Sequence, residues 1–162
     1  MPEQKKISEL IKLAESRDIN DNKIAIKGFL SHEGDNKLII KTLLKLITHR
    51  SLKIRSLAHE ALKEKADEDT YLKATVSFLY DTREDVKCSA IKILCEAEYM
   101  PALSYIIGFL SEKNSMIRKT AAEGIFLFGY DAMTNLLKRR KATRPDKREC
   151  ISKVIDRINK IP

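Results

Sequence analysis

The chain has 162 residues, 43% of them hydrophobic, which is enough for a globular domain with a real core. It contains only 5 Gly and 4 Pro, and helix-forming residues dominate, so we expect an all-α fold. The longest apolar runs are too short for a membrane span, which needs roughly 20 residues, and the charged N-terminus does not look like a secretory signal. These features favour a soluble, cytoplasmic protein.

The net charge of +8 is concentrated at one end of the chain. Residues 138–162 hold ten basic and three acidic side chains, a balance of +7. Residues 1–137 hold 21 basic and 20 acidic side chains, a balance of only +1. An electrostatic contact with an acidic partner is therefore expected at the C-terminal end.

The spacing of apolar residues predicts ten helices arranged as five consecutive pairs. Polar segments with cap-forming residues join the helices of a pair, and in the three middle pairs the flanking apolar residues are seven positions apart. The expected cap formers are Ser51, Asp81, Asp85 and Ser115. Gly129 is expected to end one pair. In chain order the pairs are 3–16 with 20–33, 37–47 with 54–62, 70–80 with 86–94, 101–110 with 117–125, and 131–138 with 146–161.

We interpret the whole chain, 1–162, as a single repeat domain. The first and last pairs match the pattern weakly, as terminal repeats do because they need a polar outer side. The domain then consists of a degenerate N-terminal cap pair in 1–35, three well-matched repeats in 36–130 and a basic C-terminal cap pair in 131–162.

Three second helices share an aliphatic residue in place one, Arg or Lys in place two, Ala in place five and an aliphatic residue in place nine. They are IRSLAHEAL, VKCSAIKIL and IRKTAAEGI, which begin at Ile54, Val86 and Ile117. Places one, five and nine share one face of a helix, and Ala in the middle of that face lets a neighbouring helix come close. The period of 31 to 32 residues, with two helices per unit, predicts an α-solenoid.

The cation in place two has two interpretations. Arg55, Lys87 and Arg118 recur 32 and 31 residues apart, so on a solenoid they would form a line. This line could be a track for phosphates. The favoured alternative is that each cation ties neighbouring interhelical loops together through carbonyls or carboxylates.

The three patterns resemble HEAT repeats, in particular the short form found in phycobilisome-lyase-type proteins. The tetratricopeptide pattern fits less well because this chain has no Trp, and the Thr-Pro-Leu-His of ankyrin repeats is absent. The resemblance implies a right-handed α-solenoid, a superhelix of about five antiparallel helix pairs. It also implies a non-enzymatic scaffold, because most HEAT-like repeats present extended surfaces to other macromolecules.

No pattern in the chain nominates catalytic, cofactor-binding or metal-binding residues. His32-Glu33 and His59-Glu60 are similar to the iron-binding His-Glu pairs of deoxyhypusine hydroxylase, a HEAT-repeat enzyme. That family uses four aligned pairs, whereas these two do not align, so we expect solvent-facing histidines and no metal. The three cysteines are expected to be reduced and at least partly buried.

The candidate binding residues are seven cations near the C-terminus. Pro145 is expected to break the helix here, leaving an exposed basic loop that attracts nucleic acid, acidic lipid or an acidic protein segment. The alternative is a solvated end cap. The residues are Lys138, Arg139, Arg140, Lys141, Arg144, Lys147 and Arg148.

The leading functional hypothesis is a scaffold that binds a protein partner through the solenoid surface, on the helix face bearing His59, Lys92 and Glu123. An alternative is a nucleic-acid-binding protein that uses the basic end, similar to DNA-alkylation-repeat glycosylases but without clear catalytic residues. A lesser alternative, from the resemblance alone, is an accessory subunit like the phycobilisome lyases.

Overall fold

A computed structural model describes residues 2–34 and 36–161, with the side chains of 2–5 left out. The described part contains ten α-helices and no strand, which confirms the all-α prediction. None of these helices is long and apolar enough to cross a membrane. The helices are α1 (Pro2–Ala14), α2 (Ile19–Leu30), α3 (Lys37–Leu46), α4 (Leu52–Lys65), α5 (Glu68–Phe78), α6 (Glu84–Glu96), α7 (Leu103–Gly108), α8 (Ser115–Leu127), α9 (Met133–Ala142) and α10 (Glu149–Ile158).

The chain forms two compact units, and the boundary between them falls within α5. In the N-terminal unit, residues 1–74, α1 packs on α2 and α3 packs on α4. There, α2 also contacts α4, and α1 contacts α3. In the C-terminal unit, residues 75–162, α8 contacts α6, α7 and α10, while α9 contacts α7 and α10. Within each unit, second helices thus pack on second helices and first helices on first helices.

Place five of the repeat lies in the core of both units. Ala58, Ala90 and Ala121 are buried, as the pattern predicts. Ala25 of α2 is also buried, and it lies 33 residues before Ala58. The degenerate first pair therefore keeps the small residue of the repeat although its sequence pattern is weak.

Helices α6 and α8, two second helices of the C-terminal unit, pack closely at Gly124 of α8. A β-carbon added there would lie 2.5 Å from Sγ and 3.0 Å from Cβ of Cys95 on α6. The next nearest atom, Cγ2 of Ile91 on α6, would be 3.7 Å away. Because Cys95 and Ile91 are buried, α6 and α8 can pack this closely only if residue 124 has no side chain.

In two of the three repeats, place two supplies side-chain donors to the loop before the second helix. Nη1 of Arg118 donates to the carbonyls of Glu112 and Lys113, both at 2.7 Å. Arg55 makes the same pair of bonds six and five residues back, to His49 at 3.0 Å and Arg50 at 3.3 Å. Each of these two arginines thus holds the loop directly before its own helix, while a tie between neighbouring loops stays a prediction. Within the described residues, the side chain of Lys87 makes no such bond.

In the first pair, Asn22 occupies place two, three residues before Ala25. It is fully buried, and its Nδ2 donates to the carbonyls of Leu13, Ala14 and Ser16 at 3.0–3.1 Å. These carbonyls lie at the end of α1, where the helix itself provides no partners. The side-chain amide of Asn22 thus donates hydrogen bonds to backbone carbonyls that precede its helix, as Arg55 and Arg118 do in later repeats.

The helix ends differ in part from the predicted caps. Oδ1 of Asn114, rather than Ser115, accepts the backbone N–H groups of Met116 and Ile117 at 2.8 and 3.1 Å. Asn114 has the extended backbone typical of an N-cap. Gly129 has a φ of +51°, a conformation that glycine adopts readily, and it follows the end of α8 as expected.

We expect the Gly124→Ala substitution to lower the free energy of unfolding by about 1–3 kcal/mol, because the added methyl group overlaps Cys95. Urea unfolding followed by circular dichroism measures this loss. The loss should shrink when Cys95 is also changed to Ala, which removes the sulfur. Gly108→Ala in α7 is the matched control, since its nearest neighbour would be 4.0 Å away, and we expect no loss. Equal losses for Gly124→Ala in both backgrounds would contradict the close contact.

We expect Arg118→Met to lower the free energy of unfolding by about 1–3 kcal/mol, because two carbonyls lose a charged donor while the aliphatic stem is kept. Lys119→Met on the same helix removes only an exposed 3.9 Å ion pair with Glu123. This control should change stability by less than about 0.5 kcal/mol. Chemical denaturation of both variants tests the difference, and similar stabilities for the two would show that the ties contribute little.

Candidate functional site

The basic run from Lys138 to Lys141 lies on a helix, not on the loop that we expected. Helix α9 continues through these residues to Ala142. Lys and Arg are good helix formers, and cations are favourable in the last turn because they face the negative end of the helix dipole. Pro145 interrupts the helix only after these residues. Arg144, which precedes it, has a ψ of 145° and cannot continue a helix.

Two of the seven candidate cations have partners within their own segment. Nε of Arg148 donates to the carbonyl of Thr143 at 2.6 Å, and its Nη2 donates to that of Lys141 at 3.4 Å. Arg144 forms an exposed ion pair with Asp146, with 3.8 Å between its Nε and Oδ1 of the carboxylate. Arg148 thus holds the α9–α10 loop much as Arg118 holds the α7–α8 loop.

The other five cations have no such partners. Lys138, Arg139, Arg140 and Lys141 are exposed, as is Lys147. Within the part of the chain that the structure describes, none of the five forms an ion pair or a side-chain hydrogen bond. We call the four consecutive residues 138–141 the basic surface.

The basic surface adjoins α7, and neither helix adds a carboxylate. A β-carbon built on Gly108 of α7 would have Nη2 of Arg139 as its nearest neighbour, at 4.0 Å. Residues 99–111, which include α7, contain no charged side chain, and α9 contains four cations and no acid. The positive charge is therefore not neutralised by residues of these two segments.

Lys147 is not part of the basic surface. It lines a cleft of about 250 Å³ between the α7–α8 and α9–α10 segments. Its lining is charge-balanced and also includes the half-buried Cys150. Burial raises the pKa of the Cys150 thiol, although Arg118 and Lys153 act in the opposite direction. The charged residues of the lining are Glu112, Lys113, Arg118, Asp146, Lys147 and Glu149. Such a lining does not favour an anion.

Two exposed tyrosines near α7 were not found by sequence reasoning. Tyr80 and Tyr105 are 65% and 49% exposed, and their rings make an edge-to-face contact with centroids 6.0 Å apart. Tyr105 lies among apolar residues of a helix, so the apolar pattern does not distinguish it from the core. The lack of charged residues in 99–111 was the sequence feature that could have indicated exposed, uncharged side chains on this stretch.

Of the three residues on the face expected to bind a protein partner, Lys92 is exposed, while His59 and Glu123 make contacts within the protein. His59 stacks on Tyr71 with 4.7 Å between ring centroids, so the expectation of a solvent-facing histidine is wrong for this residue. Burial, and secondarily Lys63, lowers the pKa of His59 to about 4. Glu123 pairs with Lys119 at 3.9 Å.

The remaining histidines lie apart from one another along the chain. Nδ1 of His49 accepts the backbone N–H of Ser51 at 3.0 Å, and the carbonyl of His32 accepts Nζ of Lys65 at 2.8 Å. Among the described residues, no three His, Cys, Asp or Glu side chains are grouped so that they could hold a metal ion.

We expect the pH dependence of stability to contain a contribution from His59. Its pKa is about 4 in the folded protein and 6.5 for an unperturbed histidine, so the unfolded chain binds the proton more readily. The stabilisation is present above about pH 6.5 and is lost as the pH falls towards about 4, by up to about 3 kcal/mol. Unfolding of the wild type and of His59→Phe, compared across this range, should show a smaller loss in the variant. Parallel pH profiles would contradict this assignment.

No protein-family model matches the chain, and no curated protein matches it either. The resemblance to HEAT repeats consequently depends on the residues of the three repeats alone. It stays a prediction at this point.

Proposed function

We propose that this protein is a non-enzymatic binding scaffold, a right-handed HEAT-like solenoid that engages an anionic macromolecule at its basic surface. The architecture is supported by the packing order, since each unit pairs second helices with second helices and first helices with first helices. The recurrence of buried Ala in place five and of loop-tying donors in place two supports it further. The proposed compartment is the cytoplasm, because the three cysteines, all described, are free thiols.

The observation that carries the binding proposal is the uncompensated charge of the basic surface. Four consecutive cations on about one turn of helix repel each other, and the described residues provide no ion pair for any of them. The helix dipole compensates only part of this repulsion, since its effect is limited to the last turn. A polyanion would supply the missing charge and release its own counterions on binding.

The second candidate is a protein partner on the outer face of α8, which a specific set of exposed residues favours. Met116 and Leu127 are 50% and 51% exposed. Together with Lys119 and Glu123 they lie three, four and four residues apart, which places them on one stripe of the helix. Exposed apolar side chains fit a protein surface better than they fit a phosphate backbone.

The test is binding of a fluorescent DNA duplex as a function of salt. The fourfold reversal Lys138→Glu, Arg139→Glu, Arg140→Glu and Lys141→Glu should weaken binding and flatten the plot of log affinity against log salt. The wild-type slope should be steeper by about 0.9 for each phosphate that the variant no longer neutralises, or about 3 to 4 in all. The matched control reverses Lys12, Lys27, Lys41 and Lys53, which are exposed and give the same change in net charge.

An equal flattening in the control would assign the effect to net charge and not to the basic surface. An unchanged slope in the fourfold variant would remove the basic surface from the proposal. The exposed stripe on α8 would then become the better candidate. Because Glu is unfavourable at the end of a helix, a fourfold Gln variant and its circular dichroism spectrum check that α9 remains folded.

A further inference from the structure

The side of the C-terminal unit formed by α7, α9 and the residues after α5 combines exposed aromatic rings with positive charge. The rings are those of Tyr80 and Tyr105, and the charge is that of the basic surface. The stretch 99–111 and helix α9 contribute no carboxylate to this side. Asp81, which is half-buried, follows Tyr80 in the chain, so the part of this side without acids is that of the stretch 99–111 and α9, with Tyr105 and the basic surface.

The two tyrosines contact each other while about half of Tyr105 and two thirds of Tyr80 remain exposed. Their ring planes are inclined by 78° with centroids 6.0 Å apart, so the edge of one ring meets the face of the other. Edge-to-face contact leaves further ring faces for other planar groups. With exposed fractions of 65% and 49%, these are among the most exposed large hydrophobic residues of the protein.

Arg139 connects the tyrosine pair to the basic surface. Its guanidinium is the nearest group to a β-carbon built on Gly108, at 4.0 Å. Gly108 follows Tyr105 by three residues on α7, and residues so spaced on a helix are neighbours about 5–6 Å apart. Arg139 therefore lies beside α7 within about one helical turn of Tyr105.

We propose that Tyr80, Tyr105 and the basic surface bind single-stranded nucleic acid. Bases would stack on the two tyrosines while phosphates contact Arg139 and the neighbouring cations. Stacking tolerates any base, because every base has a π-face, so the binding is expected to show little sequence preference. The inference deepens the proposed function and depends on its cationic site.

The chemistry of this side favours a single strand over other anionic partners. In a duplex the base faces are covered by stacking, so exposed tyrosines would have nothing to contact there. An amphipathic acidic peptide binds in an apolar groove, and the cleft found in this unit is lined by other residues with balanced charge. An anionic membrane would be bound through charge and inserted apolar side chains, without need of a stacking pair.

The experiment measures the anisotropy of labelled oligothymidylate of about 20 nucleotides, with a duplex of equal length beside it. Vesicles of phosphatidylcholine with phosphatidylserine, and polyglutamate, are the other two probes. The variant Tyr80→Ala with Tyr105→Ala should bind the single strand between about fivefold and a hundredfold less tightly for each base that loses its stack. Duplex affinity should be unchanged.

Two control variants separate stacking from folding and from general tyrosine effects. Tyr80→Phe with Tyr105→Phe keeps both rings and should retain the single-strand affinity. Tyr130→Ala removes a tyrosine of similar exposure, 56%, that lies after α8 and donates its hydroxyl to the carbonyl of Ile161. This change should not affect binding of the single strand.

Full single-strand affinity in the double Ala variant would overturn the inference. So would tyrosine-dependent binding of vesicles or polyglutamate in place of the single strand. If duplex and single strand both bind through the basic surface but neither depends on the tyrosines, the proposed function stands and this inference fails. If no polyanion binds the wild type, both fail.

Discussion

Within each unit, the second helices of neighbouring pairs pack along faces that are kept small. Ala25 and Ala58 provide this face in the N-terminal unit, and Ala90 and Ala121 provide it in the C-terminal unit. Gly124 is the extreme case, since even one added carbon would overlap Cys95. Larger apolar residues on either side of these positions fill the core. The size limit therefore sets how closely the second helices approach each other within each unit.

The end of each first helix raises a second requirement, because its last carbonyls have no partner within the helix. Asn22 meets this requirement at the end of α1, while Arg55 and Arg118 donate to carbonyls of the loops before α4 and α8. Arg148 does similar work from the N-cap position of α10. The chemical group varies, but in each case a donor on the following helix holds the loop. Such loops keep a defined shape, and this makes them suitable supports for the residues around them.

The sequence was sufficient to predict the ten described helices, their order and the buried alanines, because these depend on local apolar periodicity. It misplaced the end of α9 because Pro145 marks only where a helix must stop, while Lys138 to Lys141 are themselves good helix residues. It also misjudged His59 and did not reveal Tyr105, since their exposure depends on which side chain of another helix lies opposite. Asn22 was missed since its role requires the fold to bring three carbonyls together.

The contact between Cys95 and Gly124 has a chemical consequence for the thiol. Burial, and secondarily Glu96, raises the pKa of Cys95 to about 12, so the reactive thiolate is scarce at neutral pH. An alkylating reagent has no room beside the sulfur while α6 and α8 remain packed. Modification of Cys95 thus requires α6 and α8 to separate. The rate of its alkylation, relative to that of the half-buried Cys150, therefore reports how often these two helices separate.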